Sequence, residues 1–380
     1  MAHSSGNPPL SRNFATPAIA EDNATVSTSS RSLLWLAVAL LGGVVIAGVI
    51  GLERYRETPL ITMVHVPEVY PKRSGSLSAN ATAYVAPRAR NIRYRVNEHA
   101  WRQVDDIWSS RFVGGVMTFE MPSEELEAGP NRLEISAEAP LREPDKREVS
   151  FSYDPSEVVL PLRRNWLGEP LEAQDGAWEA IEVDGEGRVR PVPGYEGYDR
   201  LLLVTGAFPA PRRIETYAVY RHERRTPREE VGFGVLSLWA GHPGSWSYLP
   251  RKGWSFALGL YWSKPGGVGS EISHYEGDAP PRWVNSYRDT PLVSGERYFI
   301  VIEVEEERAG GQHRFYRQRM KMWLESQPEP EEWIVLTDKE GARLPDSEYA
   351  VALYALDCQV EFGPITVLPL PSTDENTAPR

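Results

Sequence analysis

Cysteine is almost absent: Cys358 stands alone in 380 residues. A lone thiol excludes an intramolecular disulfide framework and any metal site built from several thiolates. Histidine is scarce too, with seven residues scattered along the chain and no His-Glu-x-x-His or other zinc spacing. No Gly-x-Ser-x-Gly elbow occurs. Gly232-Phe233-Gly234 is followed by no helical pattern, which a nucleotide loop needs. An excess of positive charge is also missing. The net charge is −12, and the first 32 residues add nothing to it, because Arg12 and Arg31 cancel Glu21 and Asp22. An acidic body of this kind repels nucleic acid, so no nucleic-acid partner is expected. Beyond residue 52 no segment holds a 3.6-residue apolar period, and 32 prolines and 31 glycines interrupt the chain. Long helices are not expected there.

What is present begins with Leu33 to Leu52, LLWLAVALLGGVVIAGVIGL, an uncharged run of twenty residues. As a helix it covers roughly the 30 Å hydrocarbon core of a bilayer. The 32-residue tail before it is barely basic, and the run exceeds the ~7–15 apolar residues of a cleaved signal, so it reads as a retained anchor. Arg31 precedes the span, whereas Arg54, Arg56, Lys72 and Arg73 follow it. Basic flanks alone place the C-terminal part on the inner side.

From about Leu60 the pattern has period two, the mark of half-buried strands. Ile92, Tyr94 and Val96 alternate with Arg93, Arg95 and Asn97; Met117, Phe119 and Met121 follow. Leu133, Ile135 and Ala137 alternate with Glu134 and Ser136, and Val149, Phe151 and Tyr153 with Ser150 and Ser152. About six or seven such strands form a small antiparallel sandwich. The stretches NIRYRVNEHAW, LEAGPNRLEISA and EVSFSYDP resemble immunoglobulin-like or fibronectin-type modules through Tyr94, Asn97, Trp101, Gly129, Asn131 and Ala137. The resemblance implies structural positions in a spacer.

Asp154-Pro155 and Pro161 mark a boundary, and a larger β-rich region runs to about Pro371. Its strand candidates include Leu201 to Thr205, Ile214 to Tyr220, Val231 to Trp239, Trp254 to Tyr261, Tyr298 to Glu305, Phe315 to Leu324, Tyr349 to Leu356 and Gln359 to Val367. About ten strands suit a two-sheet jelly roll. GAWEAIEVDG, RFYRQRMKMWLESQPEPEEW and YAVALYALDCQVEFGPITVLPL are similar to the concanavalin-like lectin and glucanase superfamily, including laminin-G-like modules, with Lys321, Trp323, Val360 and Phe362 at matching places. The fold expected is therefore all-β: an N-terminal transmembrane helix, a small immunoglobulin-like sandwich and a larger concanavalin-like jelly roll. The expected segments are a disordered tail 1–32, the span 33–52, a linker 53–59, the two sandwiches at 60–155 and 157–371, and a tail 372–380.

Three constellations bear on chemistry. Glu182-Val183-Asp184-Gly185-Glu186 matches the spacing of the catalytic strand of family 16 glycoside hydrolases. That mechanism needs carboxylates sharing a strand face, about 5–5.5 Å apart in a retaining enzyme. Here Asp184-Gly185 has the composition of a hairpin turn, which bends the chain between Glu182 and Glu186. Glu182, Asp184 and Glu186 thus stay weak catalytic candidates. Trp239, Trp246, Trp254, Trp262 and Trp283 form an aromatic cluster with Tyr248, Tyr261, Tyr275 and Tyr287. Aromatic faces stack on sugar rings. Trp239 and Trp254 read as core, whereas Trp246 and Trp283 fall in expected loops, so Trp246, Tyr248, Trp283 and Tyr287 are candidate ligand contacts. If a hairpin turns at Gly311, Glu303 faces Arg319 and Glu305 faces Arg317, with Lys321 on the same face. Such pairs stabilise a solvated sheet; if the face is concave, Glu303, Arg317 and Arg319 are candidates for binding sugar hydroxyls or an acidic ligand. The basic run Arg212 to Arg228 contains three glutamates nearby and reads as an exposed strand and loop.

The expected partners are the membrane, through residues 33–52, and glycans or an envelope protein. No cofactor is called for, and structural calcium stays an open alternative. The resemblances to surface modules favour export of the C-terminal part over the flanking charges. The expected function is non-catalytic glycan or envelope binding; an anchored glycoside hydrolase or lyase and an envelope scaffold are the alternatives.

Overall fold

The computed structural model describes residues 29–104, 115–193, 199–223, 232–242, 254–263, 269–277, 282–288, 293–309, 313–337 and 348–370. Helix α1, Ser29–Glu57, contains the apolar run and continues into the stretch expected as linker. Within Trp35–Glu57 an 18-residue stretch has a mean hydropathy of 2.4 and none of it is buried, so the helix is long and apolar enough to cross a membrane. Arg54 and Arg56 sit in its last turn, where cations complement the carbonyl end of the helix. The chain divides at Thr58 and Pro59 into two compact units, and all the sheets belong to the second.

The rest of the fold is an all-β arrangement of two sandwiches. In chain order the first contains β1 (Ile61–His65), β2 (Val69–Tyr70), β3 (Ala79–Val85), β4 (Arg90–Val96), β5 (Arg102–Gln103), β6 (Val116–Met121), β7 (Gly129–Glu138) and β8 (Asp145–Tyr153). The second contains β9 (Leu162–Arg164), β10 (Glu172–Asp175), β11 (Trp178–Val183), β12 (Glu186–Pro191), β13 (Asp199–Leu203), β14 (Arg212–Glu223), β15 (Gly232–Trp239) and β16 (Trp254–Ser263). It continues with β17 (Gly269–Gly277), β18 (Arg282–Arg288), β19 (Arg297–Ala309), β20 (His313–Leu324), β21 (Ile334–Thr337), β22 (Ala350–Leu356), β23 (Cys358–Phe362) and β24 (Ile365–Pro369).

The smaller sandwich packs the sheet β1-β3-β6 on β2-β8-β7-β4-β5. The alternation sets its core: Tyr94 pairs with Ile135 and Val96 with Leu133, all buried. Tyr94 meets Phe119 edge to face at 5.4 Å and donates its hydroxyl to the Glu120 carbonyl at 2.6 Å. Asn97 and Asn131 clasp the start of β7, with Asn97 Nδ2 donating to Asn131 Oδ1 at 2.9 Å and the Arg132 N–H to Asn97 Oδ1 at 2.9 Å. Trp101 departs from the structural role expected of it, being 39% exposed.

In the larger sandwich the sheet β10-β13-β22-β15-β16-β17-β18 faces the sheet β11-β12-β23-β14-β19-β20-β21, to which β24 and β9 add. Between them lie Trp166, Trp178, Phe208, Phe233, Tyr298, Ile300, Tyr349 and Phe362. Strands β17 and β18 fall outside the expected set, and Trp283, expected in a loop, lies on β18. Arg212 also differs from expectation, because it is fully buried at the head of the basic run. Its guanidinium donates to the carbonyls of Phe208 at 2.5 Å, Tyr349 at 2.9 Å and Ser237 at 3.3 Å, and stacks 3.8 Å from the Phe208 ring. Burial pushes its pKa down to about 9.

Strands β3 and β6 are buried on both faces, since β10 lies against them on the side away from their own core. Arg73 NH2 donates to Glu172 Oε2 at 2.5 Å, the Asn80 N–H to Glu172 Oε1 at 3.3 Å, and Asn80 Nδ2 to the Gln174 carbonyl at 3.2 Å. Lys72 joins Glu348 at 2.8 Å, and the Ala207 N–H donates to the Lys72 carbonyl at 2.9 Å. The backbones approach closely enough that a Cβ on Gly206 would fall 2.7 Å from the Lys72 oxygen, and one on Gly241 2.3 Å from the Ser76 oxygen. Only glycine fits there.

At this junction half-buried His65 accepts the Trp178 N–H on Nε2 at 2.9 Å, so that nitrogen carries no proton. Burial pushes the His65 pKa down to about 4. The unfolded chain protonates this group near 6.5 and the folded one resists. Unfolding free energy is therefore expected to hold above pH ~6.5 and to fall, by up to about 3 kcal/mol, as the pH drops towards 4. Denaturant titrations at neutral and acid pH check this. His65→Gln keeps an acceptor and should lessen the acid loss; an unchanged loss contradicts the assignment.

Candidate functional site

The carboxylate motif lies at the β11–β12 hairpin. Val183 pairs with Glu186 across a two-residue turn in which Asp184 and Gly185 have φ of 55° and 80°, the geometry of a type I′ turn. Glu182 pairs with Gly187, one step along, so Glu182 and Glu186 project from opposite faces. The turn separates them as its composition implies.

Glu186 instead enters the outer face of its own sheet. Register brings Tyr217 on β14 opposite Phe299 on β19, and Phe299 opposite Trp323 on β20. The three rings form a row: Tyr217 meets Phe299 edge-on at 6.3 Å, and Phe299 lies 5.6 Å from Trp323. Phe299 and Trp323 are half-buried, whereas Tyr217 is 5% exposed. Tyr217 lies down over Gly363, whose N–H donates to the Tyr217 carbonyl at 2.9 Å. In that posture its hydroxyl donates to Glu186 and accepts from Arg188 Nε at 3.1 Å, with the Arg297 guanidinium 4.2 Å from its ring centre.

Ionisation at this end is set by its neighbours. Burial and the hydrogen bond to Glu186 push the Tyr217 hydroxyl up to about 12, so it stays protonated near neutrality. Burial disfavours the ionised form of Glu361, but its bonds to Arg221 and Arg188 outweigh that and hold the carboxyl below the usual range. Arg188 NH1 donates to Glu361 at 2.9 Å, and Arg221 grips both its oxygens at 2.8 and 2.7 Å. Neither group offers a proton or a base at neutral pH.

Farther along the same face the hairpin has the expected register, Glu303 opposite Arg319 and Glu305 opposite Arg317. Glu303 is 4% exposed and spends its oxygens on Arg319 and on Arg213, the latter at 2.6 Å. Arg319 and Lys321 both cover Trp333, at 4.8 and 4.6 Å from the ring centre. Trp246 and Tyr248 lie outside the described residues. Trp283 and Tyr287 fall on β18, but their side chains lie outside the description. Sequence reasoning assigned no ligand role to Tyr217, Phe299 or Trp323. Their signal was positional, each being an outward residue of its strand, but only the register aligns them.

The outer face of the other sheet differs. Leu201, Leu203, Leu236, Trp239, Ala257, Ala352 and Tyr354 form a buried apolar layer with Leu77 of the smaller sandwich. At the junction a cavity of about 20 Å³, lined by Pro67, Val69, Pro71, Arg164, Glu172 and Thr205 among others, has room for about one water. Among the described residues no three His, Cys, Asp or Glu side chains come together to hold a metal.

No protein-family model matches the chain, and no curated protein matches it. Several solved structures are similar in part. The carbohydrate binding module CBM66 from Bacillus subtilis is 13% identical over 52% of this chain and 94% of its own, with a TM-score of 0.31. The marine PL-14 alginate lyase from Aplysia kurodai is 11% identical over 51% and 87%, at 0.36. The exoplasmic/lumenal domain of VIP36, bound to Ca2+ and Man3GlcNAc, is 12% identical over 55% and 88%, at 0.36. Likeness at this level assigns neither ligand nor chemistry to this chain.

A Cβ on Gly363 would fall 2.1 Å from Tyr217 Cε1. Gly363→Ala is therefore expected to lift the ring off Glu186 and Arg188 and to cost about 1–3 kcal/mol. Chemical denaturation measures this, and an unchanged stability contradicts the packing of Tyr217.

Proposed function

We propose that the protein is a membrane-anchored, non-catalytic glycan-binding protein with its C-terminal sandwiches exported. The observation that carries this reading is the row Tyr217–Phe299–Trp323 on an outer sheet face. Two of its rings are half-buried, and Glu186, Arg297 and Glu325 flank it. Rings fixed across strands receive the apolar face of a sugar at little entropic cost, and the flanking charged groups serve its hydroxyls. A non-catalytic reading is supported by the state of the ionisable groups beside the row: Tyr217 holds its proton, Glu361 is clamped by two arginines, and Glu182 and Glu186 point apart. Helix α1 supplies the anchor, and the concanavalin-like resemblance fits a sandwich of this size. Glu303, buried between two arginines, acts in this reading as support for the face, with Arg317 and Arg319 at its rim.

The test is a glycan array probed with the full-length protein in detergent micelles, repeated with Trp323→Ala. Binding to one glycan class, weakened about tenfold or more by the substitution, is the expected result. No binding to any glycan, or equal binding by the variant, contradicts the proposal and leaves a scaffold role. Protease cleavage of the sandwiches on intact cells tests export, and full protection overturns it.

A further inference from the structure

We infer that the smaller sandwich carries a second binding surface, on the outer face of β5-β4-β7-β8, for an acid group borne on a sugar ring. The first observation is Trp101. Apart from Trp35 in the helix, it is the only tryptophan classed as exposed among the described residues. Two guanidinium groups attend it, Arg93 at 5.1 Å and Arg95 at 5.0 Å from the ring centre. Their situations differ. Arg95 is held by both oxygens of Glu134, at 3.0 and 2.9 Å from NH2, so its charge is matched and its position fixed. Arg93 is exposed and forms no ion pair among the described residues.

The second observation is the row in which Arg93 stands. Register aligns Gln103, Arg93, Ser136 and Lys146 across four strands. Lys146 is exposed and likewise has no ion pair among the described residues. At the usual strand spacing, the Arg93 and Lys146 backbones lie about 10 Å apart. Between them Ser136 is only 1% exposed, and its Oγ has no hydrogen-bond partner. A buried hydroxyl without a partner is uncommon, and one set between two unmatched cations suits an anion that approaches from the open side.

Together these features select a ligand class. A guanidinium grips carboxylate or sulfate oxygens in a forked pair, while an exposed indole takes the apolar face of a pyranose. A bare inorganic anion has no use for the indole, and a neutral glycan leaves Arg93 and Lys146 unmatched. An acid-bearing sugar uses both. Elsewhere on this face Arg95 and Arg132 are matched by Glu98, Glu134 and Glu148, which leaves Arg93 and Lys146 as its cations without an ion pair among the described residues.

Affinity electrophoresis of the full-length protein in micelles, through gels containing sodium polygalacturonate, dextran sulfate or neutral dextran at low salt, tests the inference. Retardation by at least one acidic polymer and not by dextran is expected, and the polymer that acts identifies carboxylate or sulfate. Added salt should weaken it. Arg93→Gln and Trp101→Ala should each reduce it by about tenfold. Both residues are exposed, and an unchanged melting temperature for Arg93→Gln excludes unfolding as the cause. Trp323→Ala should leave it intact, so failure here and failure of the Trp323 row are distinguishable. The inference is overturned by no retardation in either acidic polymer, by equal retardation in dextran, or by retardation that survives in both variants. It is also overturned if Arg93→Gln abolishes only binding to anionic lipid vesicles.

Discussion

A guanidinium and a carboxylate taken out of water must keep each other, and Arg73 and Glu172 do so across the junction of the two sandwiches. Their side chains are 0% and 6% exposed. Burial pushes the Glu172 carboxyl up, and Arg73 opposes that. A buried pair adds little stability over apolar residues of the same size, but losing one partner strands a charge at a cost of about 3–5 kcal/mol. The pair therefore acts less as a source of stability than as a penalty on any movement that separates its halves. Asn80, Gln174 and His65 add directional bonds to the same boundary. The smaller sandwich, whose pattern suggests a spacer, is thus joined to the larger one as part of a single compact unit.

That joint shapes what the larger sandwich offers. One of its sheets turns an apolar face outward, which Leu77 helps to cover. A sugar site needs hydrogen-bonding side chains beside an aromatic surface, and the described residues of that face supply few. The other sheet supplies many, because alternate residues of β14, β19 and β20 point away from the core. Its charges are paired across the strands, which fixes the side chains around Phe299 and Trp323 before any ligand arrives. Pre-organisation of this kind lowers the ordering cost of binding.

Much of the fold was legible because it follows from local rules. Period-two alternation located β4 and β7 together with their inward residues, and Asp184-Gly185 announced the turn that separates Glu182 from Glu186. Glycine at 311 was enough to set Glu303 against Arg319, since antiparallel pairing carries a register along both strands. What escaped depends on distance in sequence. Arg73 and Glu172 are 99 residues apart, and neither looks special alone. Arg212 opens a basic run that reads as exposed, yet three carbonyls from separate segments hold the two terminal nitrogens of its guanidinium in the interior. Trp101 sits between strands, where alternation does not say which side is inward. β17 and β18 carry polar residues through GSEISHYEG and RWVNSYR, so no apolar period marked them. The aromatic row was hidden for the same reason as the junction, because three strands contribute one ring each.

A junction of this kind makes one cooperative body of two sandwiches. Calorimetry of the full-length protein in micelles, alongside Arg73→Ala, tests it most directly. One unfolding transition is expected for the β region, destabilised in the variant by about 3–5 kcal/mol or split into two. Two independent transitions in the unaltered protein, or a variant that melts unchanged, would contradict it.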